Sequence, residues 1–290
     1  MMKNVVMLGC ENSHAKQFAD YIKANRKYDN LKVIGCFSID KEAQAKLSES
    51  YNIPQMSSCE ELVKDAPEGV INTARHGDYH FEFIKPYMRK GITMFVDKPI
   101  TCKEEDAIEL ATLAKEMDIK LTGGSSLKLD DSVVELKKIR EEKGTMGGFV
   151  RSPISMDNPH GGFFFYSEHL VDIVGTIFGW FPKSVIARDY KGQISVTFKY
   201  DDFDVLGLFG KDNYSYSAGV FTSEGTAFKE ITVTGGEKCF EDHFEEFYDT
   251  LMSNENKTDY TEFIAPVFIL NAINKSLNSG KEEVVRRVTI

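Results

Sequence analysis

Three stretches of this 290-residue chain hold the residue types that move protons or bind anions. The first is Asp97-Lys98-Pro99, directly after the apolar run ITMFV at 92–96. If that run is a strand, Lys98 stands at its carboxyl end, where a cation can meet a substrate. A lysine partly withdrawn from water loses proton affinity and can work as an acid or base. The plainer alternative is a surface lysine at a strand end. The second stretch runs from His160 to Asp172 (HGGFFFYSEHLVD). On a helix, Phe165, Tyr166, His169, Asp172 and Ile173 fall near one face, three or four residues apart. An imidazole there can exchange a proton with a substrate hydroxyl or carbonyl, or it can simply be a satisfied core histidine.

The third stretch is Gly9-Cys10-Glu11-Asn12-Ser13-His14. A turn of this kind in a dinucleotide fold carries GxGxxG, with the pyrophosphate on the helix N-terminus. Only Gly9 fits that pattern. Glu11 stands at the second glycine position and His14 at the third. Asn12 or Ser13 can cap the helix, which leaves backbone N–H groups available for an anion. A Glu11 carboxylate about 5 Å from a phosphate charge costs roughly 3 kcal/mol at an effective dielectric of about 20. It must point away, be paired, or face something other than a pyrophosphate.

Weaker signals lie at other strand ends. Arg75, His76, Asp78 and His80 follow the run GVINTAR. His76 and His80 are metal-ligand types, but spacing fixes no third ligand, so no metal site is expected. Ser38 and Asp40 end the second strand, where an acid normally receives the adenosine ribose hydroxyls. Asp40 lies 31 residues beyond Gly9, later than the usual spacing of about 20.

The elements that must position these residues divide the chain in two. Through residue 126, short apolar runs (3–9, 31–38, 69–75, 92–96, 119–123) alternate with amphipathic segments (13–26, 41–51, 78–90, 103–117). Non-alternating apolar strands separated by helices indicate a parallel, doubly wound sheet covered on both faces. Pro86 is expected to kink the helix over 78–90. The second half opens with helices over 129–142 and 162–178. It becomes strand-rich from Ser184 to about Gly235, then shows helices near 240–253 and 260–279 and a closing strand in the last residues. Alternation and tight turns indicate a largely antiparallel sheet in an α+β domain. The expected fold class is therefore α/β: a Rossmann-like domain over 1–124 and an α+β domain over 125–290.

Composition sets the outer limits. Hydrophobic residues at 42% and charged residues at 28% fit a globular protein with a substantial core. A net charge of −10 with no basic stripe argues against nucleic acid as a partner. The apolar run Val5 to Cys10 is too short for a signal peptide or membrane span, so no membrane partner is expected. The five cysteines are odd in number and form no CxxC. That argues against a disulfide framework and points to a reducing, cytoplasmic setting.

Taken in order, the segments VVMLGCENSHA, VIGCFSIDKEAQAKL, VINTARHGDYH, MFVDKPIT, LTGGSSLKLD and GGFFFYSEHLVDI resemble the Gfo/Idh/MocA family of NAD(P)-dependent oxidoreductases. The family's EKP looks like Asp97-Lys98-Pro99. The resemblance implies hydride transfer between NAD or NADP and a carbinol carbon of a small sugar, cyclitol or related hydroxy compound. It implies that Lys98 holds or polarises the substrate oxygen, His169 relays the proton, and Asp172 orients the helix or the histidine. His80 would lie near the nicotinamide. Gly9, Glu11, Asn12, Ser13, His14, Ser38, Asp40, Arg75, Asp97 and Pro99 would surround the cofactor. An open sheet in the second domain would be buried by another copy, giving a homodimer or homotetramer. Three departures stand out. The glycine fingerprint is mostly replaced. Phe165 occupies the place of the acid four residues before the histidine, with Tyr166 as the neighbouring polar group. Ser38 occupies the place of the ribose-binding acid. Two other readings remain open: a cofactor-poor binding or regulatory protein of the same fold, and a lyase or hydrolase that uses a retained nicotinamide transiently.

Overall fold

The computed structural model describes residues 2–232 and 237–290. Its first half alternates strand and helix: β1 (Lys3–Leu8), α1 (Ser13–Ala24), β2 (Leu31–Phe37), α2 (Lys41–Tyr51), β3 (Gly69–Asn72), α3 (Asp78–Ile84), β4 (Thr93–Asp97), α4 (Glu104–Glu116) and β5 (Lys120–Gly124). The sheet order is β2-β1-β3-β4-β5, all parallel. A parallel bridge from Cys36 to Gln55 extends it beyond β2. β3, β4 and β5 are buried at every position, as expected for strands covered on both faces. The chain reverses direction in the sheet at β1 and β3, the switch point where ligands of such sheets bind. Gly9 sits there at φ +82°, and any side chain on it would collide with the Ala74 backbone. The close crossing of β1 and β3 ends therefore requires glycine. Pro86 terminates α3 rather than kinking it, because a single 3-10 turn over 85–87 takes over.

The second half contains α5 (Asp131–Lys143), β6 (Gly147–Ile154), α6 (Phe163–Phe178), β7 (Ser184–Tyr190), β8 (Gln193–Lys199), β9 (Asp204–Lys211), β10 (Tyr216–Thr222), β11 (Gly225–Ile231), α7 (Glu237–Ser253), α8 (Tyr260–Ser279) and β12 (Glu283–Val284). Its sheet runs β11-β10-β6-β9-β8-β7-β12. All pairs are antiparallel except β6 with β9. β6, near the centre of the sheet, was not anticipated: Gly147, Gly148 and Pro153 are residue types depleted in strands. The expected strand AFKEITVTG ends at Ile231 as β11, and residues 233–235 lie outside the described residues. Of the expected closing strand only Glu283–Val284 pairs.

Helices α5, α6 and α8 cover one face of this sheet. Leu206, Leu208, Phe221 and Phe228 are exposed on the other. Helix α7 returns to the first domain, where Phe244, Phe247, Tyr248 and Leu251 pack with Val5, Met7, Phe18 and Phe95. A linear boundary at residue 124 therefore leaves one helix of the first domain's cover in the second segment. Among the described residues, no helix is long and apolar enough to cross a membrane.

Candidate active site

The loop after β4 and the face of α6 meet at the mouth of the first sheet. Lys98 follows β4, is 6% exposed, and is joined to Pro99 by a cis peptide bond. Its ammonium donates to the Phe165 carbonyl (3.1 Å) and lies 4.0 Å from the centre of the Phe165 ring and 5.7 Å from that of Tyr166. Burial pulls Lys98 below the ordinary lysine value. The carboxyls of Asp97 and Glu168 act against that shift, and Arg75 acts with it. Phe165 thus supplies the lysine with a carbonyl oxygen and an aromatic face. This is weaker compensation for a cation than a carboxylate, and it favours the less basic lysine.

His169 lies one turn along α6, with its ring 6.2 Å from Tyr166 and 5.8 Å from Tyr216. Burial and the Lys98 charge hold its pKa well below the usual histidine value, so at neutral pH it is an unprotonated base. Nδ1 shares a 2.7 Å hydrogen bond with Ser125 Oγ. When Nδ1 donates that proton, Nε2 carries the free lone pair. The Asp172 carboxylate accepts from Ser125 N–H at 2.7 Å. Burial pushes its pKa up to about 6, against the pull of Lys128 and that N–H. Asp172 therefore fixes the segment that orients His169 and acts on the imidazole through Ser125. Gly124, at φ +77°, makes room for it.

Glu168 was not singled out from the sequence. It is fully buried and accepts from the Ile100 N–H at 3.3 and 3.2 Å, which clamps α6 to the lysine loop. Burial and the Asp172 charge raise its pKa well above the ordinary carboxyl range. One signal was available: an acid inside an otherwise apolar helix, four residues before a second acid. Ser125 had no comparable signal, because its partner His169 lies 44 residues away along the chain.

Asp97, His14 and His80, expected around a cofactor, turn their side chains into the interior. Asp97 is fully buried and accepts from Asn12 Nδ2 (2.8 Å), shares a 2.7 Å bond with His14 Nδ1, and accepts from Lys98 N–H (2.8 Å). Burial alone would raise it, but His14 and Lys98 together hold its pKa well below the usual range. His14, 5% exposed, faces the core because Asp97 and Phe240 receive it. His80 is fully buried, with Nδ1 2.5 Å from the Pro99 carbonyl and Nε2 2.7 Å from that of Ala74. It braces the β3 and β4 loops rather than presenting a ring to the cleft, and burial lowers its pKa.

The remaining residues stay at the switch point. Asn12 caps α1 by accepting from His14 N–H, and Ser13 donates to the Asn12 side chain. Asp40 caps α2 by accepting from Ala43 N–H. Glu11 reaches across the strand ends: Ser38 Oγ donates to its carboxylate at 2.5 Å and Arg75 N–H at 2.9 Å. It is therefore paired. The Arg75 guanidinium lies 3.4 Å from His160 Nε2 and 5.7 Å from the Phe165 ring, and its Nε is buried without a partner. A cavity of about 290 Å³ opens beside Glu11, Asn12, Ser13, Lys16 and Lys46.

The doubly wound sheet, with Lys98 at the end of β4, thus packs against helix α6 of the second domain, which bears His169. Residues 3–125 match the family model described as an oxidoreductase family with an NAD-binding Rossmann fold. Over this dinucleotide-type domain the chain is similar to the Gfo/Idh/MocA oxidoreductases. A curated relative, an uncharacterized oxidoreductase (YhhX) of Escherichia coli K12, is 25% identical over 222 residues, covering 72% of this chain. The match spans 63% of that relative's length. Among solved structures, a scyllo-inositol dehydrogenase from Lactobacillus casei with bound NAD(H) and scyllo-inositol superposes with a TM-score of 0.84 at 12% identity, covering 98% of this chain and 99% of the other. A myo-inositol 2-dehydrogenase from Lactobacillus plantarum gives 0.84 at 13% identity over 99% and 100%. At such identity these two show the shared fold.

Proposed function

We propose that the protein is a nicotinamide-dependent dehydrogenase or reductase acting on a hydroxyl carbon of a small sugar, cyclitol or related polyol. The observation that carries this reading is the convergence of Lys98 and His169 on the Tyr166 ring. An ammonium weakened by burial and an unprotonated imidazole there flank the same ring. The substrate class is read from the groups around these two side chains. Tyr166, Tyr214 and Tyr216 offer aromatic faces to C–H surfaces, while Arg75 and His160 offer polar groups to hydroxyls.

Glu11 decides whether a dinucleotide fits. Its carboxylate is bonded to Ser38, at the end of β2, where a dinucleotide fold normally has its ribose-binding acid. The turn residue thus supplies the acid that position 38 lacks. Gly9, Asn12 and Ser13 would hold the pyrophosphate at the α1 N-terminus, and Glu11 with Ser38 would hold the adenosine ribose. A carboxylate there accepts from hydroxyls and repels a 2′-phosphate, which favours NAD over NADP.

Bound nicotinamide supplies or accepts the hydride. The Lys98 ammonium holds the substrate oxygen and stabilises negative charge that develops on it. His169 Nε2 takes the hydroxyl proton in the oxidation direction, with Nδ1–H retained on Ser125. Glu168 and Asp172 hold the two loops in register. The test is nicotinamide absorbance across a panel of sugars and cyclitols. Turnover that survives Lys98→Ala would end the assignment.

The same Glu11 also favours a second reading: a binding or regulatory protein in which this carboxylate excludes the dinucleotide. Calorimetric titration separates the two, because tight NADH binding eliminates the second. The exposed apolar face of the second sheet supports a homodimer or homotetramer.

A further inference from the structure

We propose that His76, Asp78 and Cys102 form a site for a divalent transition-metal ion of the zinc class, held by one nitrogen, one oxygen and one sulfur, with a fourth position open. Spacing alone paired His76 with His80, which the fold ties to two carbonyls. The structure instead brings Asp78 and Cys102 to His76, with one ligand atom of each lying within 4.8 Å of the others. Tetrahedral zinc with bonds of about 2.0–2.3 Å sets its ligand atoms roughly 3.5 Å apart. Closure therefore needs a contraction of about 1 Å, within the reach of small side-chain rotations.

The state of each group suits this role. His76 Nδ1 accepts a hydrogen bond from Asp78 N–H at 3.2 Å and lies 4.0 Å from Asp78 Oδ2, so a rotation of the ring exchanges that bond for a metal. Asp78 Oδ1 is buried with no hydrogen-bond partner. Its nearest cation, Lys103 Nζ, stands 4.0 Å away and is shared with Asp106 at 3.9 Å. That distance leaves this oxygen open to a metal ion, on a side chain that is 38% exposed. Binding takes the proton from the Cys102 thiol and releases it to solvent as the metal–sulfur bond forms. A thiolate with an imidazole selects a borderline-soft ion over magnesium or calcium.

The ligands come from the loops after β3 and β4, which also carry Arg75 and Lys98. Gly77 packs against both Pro99 and Cys102, and Gly161 of the second domain lies beside His76 and Cys102. A bound ion would cross-link the two loops next to the lysine. The site does not depend on the redox reading.

The experiment is titration of the full-length protein with zinc by calorimetry and with cobalt(II) by absorption. One ion per chain and a thiolate-to-cobalt charge-transfer band are expected. Cys102→Ser should abolish the band, and Asp78→Asn should keep it. Each should weaken zinc binding by at least the roughly 10–100-fold seen for loss of outer-shell partners. Cys59→Ser should change neither. Absence of stoichiometric zinc binding overturns the proposal, as does a charge-transfer band that survives Cys102→Ser.

Discussion

Replacing Glu11 with glutamine tests how this chain manages a dinucleotide without its glycines. The amide keeps an oxygen to accept the Arg75 N–H, which is 2.9 Å away in the parent, and removes the charge beside Ser38. In the parent, a ribose 2′-phosphate would come within about 5 Å of that carboxylate. One phosphate charge there costs roughly 3 kcal/mol at an effective dielectric of about 20, or about 150-fold in affinity. For NADH, the substitution weakens hydrogen bonds from ribose hydroxyls to an ionised acceptor, about 1.5–3 kcal/mol in total. Glu11→Gln should therefore weaken NADH binding roughly tenfold or more and strengthen NADPH binding by up to about a hundredfold. Fluorescence or calorimetric titration of both reduced dinucleotides on both proteins measures this. An unchanged NADH-to-NADPH ratio would refute the reasoning. A parent that binds neither, with a Glu11→Gln variant that binds both, would establish exclusion as the role of Glu11.

Lys98→Ala should lower kcat/KM by about 10²–10⁴, and Lys98→Arg should not restore it, because a planar guanidinium cannot take one ammonium position between Phe165 and Tyr166; steady-state kinetics on an active polyol decides both. Asp172, raised from 3.8 to about 6 on folding, favours the folded state most below its unfolded value, and that contribution is lost as pH rises through about 6. At about 1.4 kcal/mol per unit the loss approaches 3 kcal/mol. Asp172→Asn, compared with the parent by urea unfolding between pH 4 and 8, should flatten the profile, and identical profiles would contradict the burial argument. Leu206→Glu with Phe228→Glu, on the open sheet face where the two residues are 48% and 58% exposed, should convert an oligomer to a monomer by light scattering; a monomeric parent would defeat the oligomer reading.

The alternation of apolar strands with amphipathic helices was enough to determine the parallel sheet, because strands buried on both faces cannot alternate and their crossovers need helices. The Asp97-Lys98-Pro99 segment was legible for a related reason: a charged residue directly after a buried strand lies at the ligand-binding edge. The His169 face of α6 was legible from helical spacing. Tertiary contacts decided the rest. Glu11 became a partner of Ser38, His14 turned inward to Asp97, and His80 was taken up by two carbonyls. Most of these deciding partners lie tens of residues away and become neighbours only when β1, β2, β3 and β4 align. Ser125 showed no role, and Glu168 only its place as an acid in an apolar helix, until α6 met the loops after β4 and β5. Residue periodicity encodes which face is buried. The identity of a polar side chain's partner depends on the three-dimensional crossing of separate segments, which local pattern does not contain.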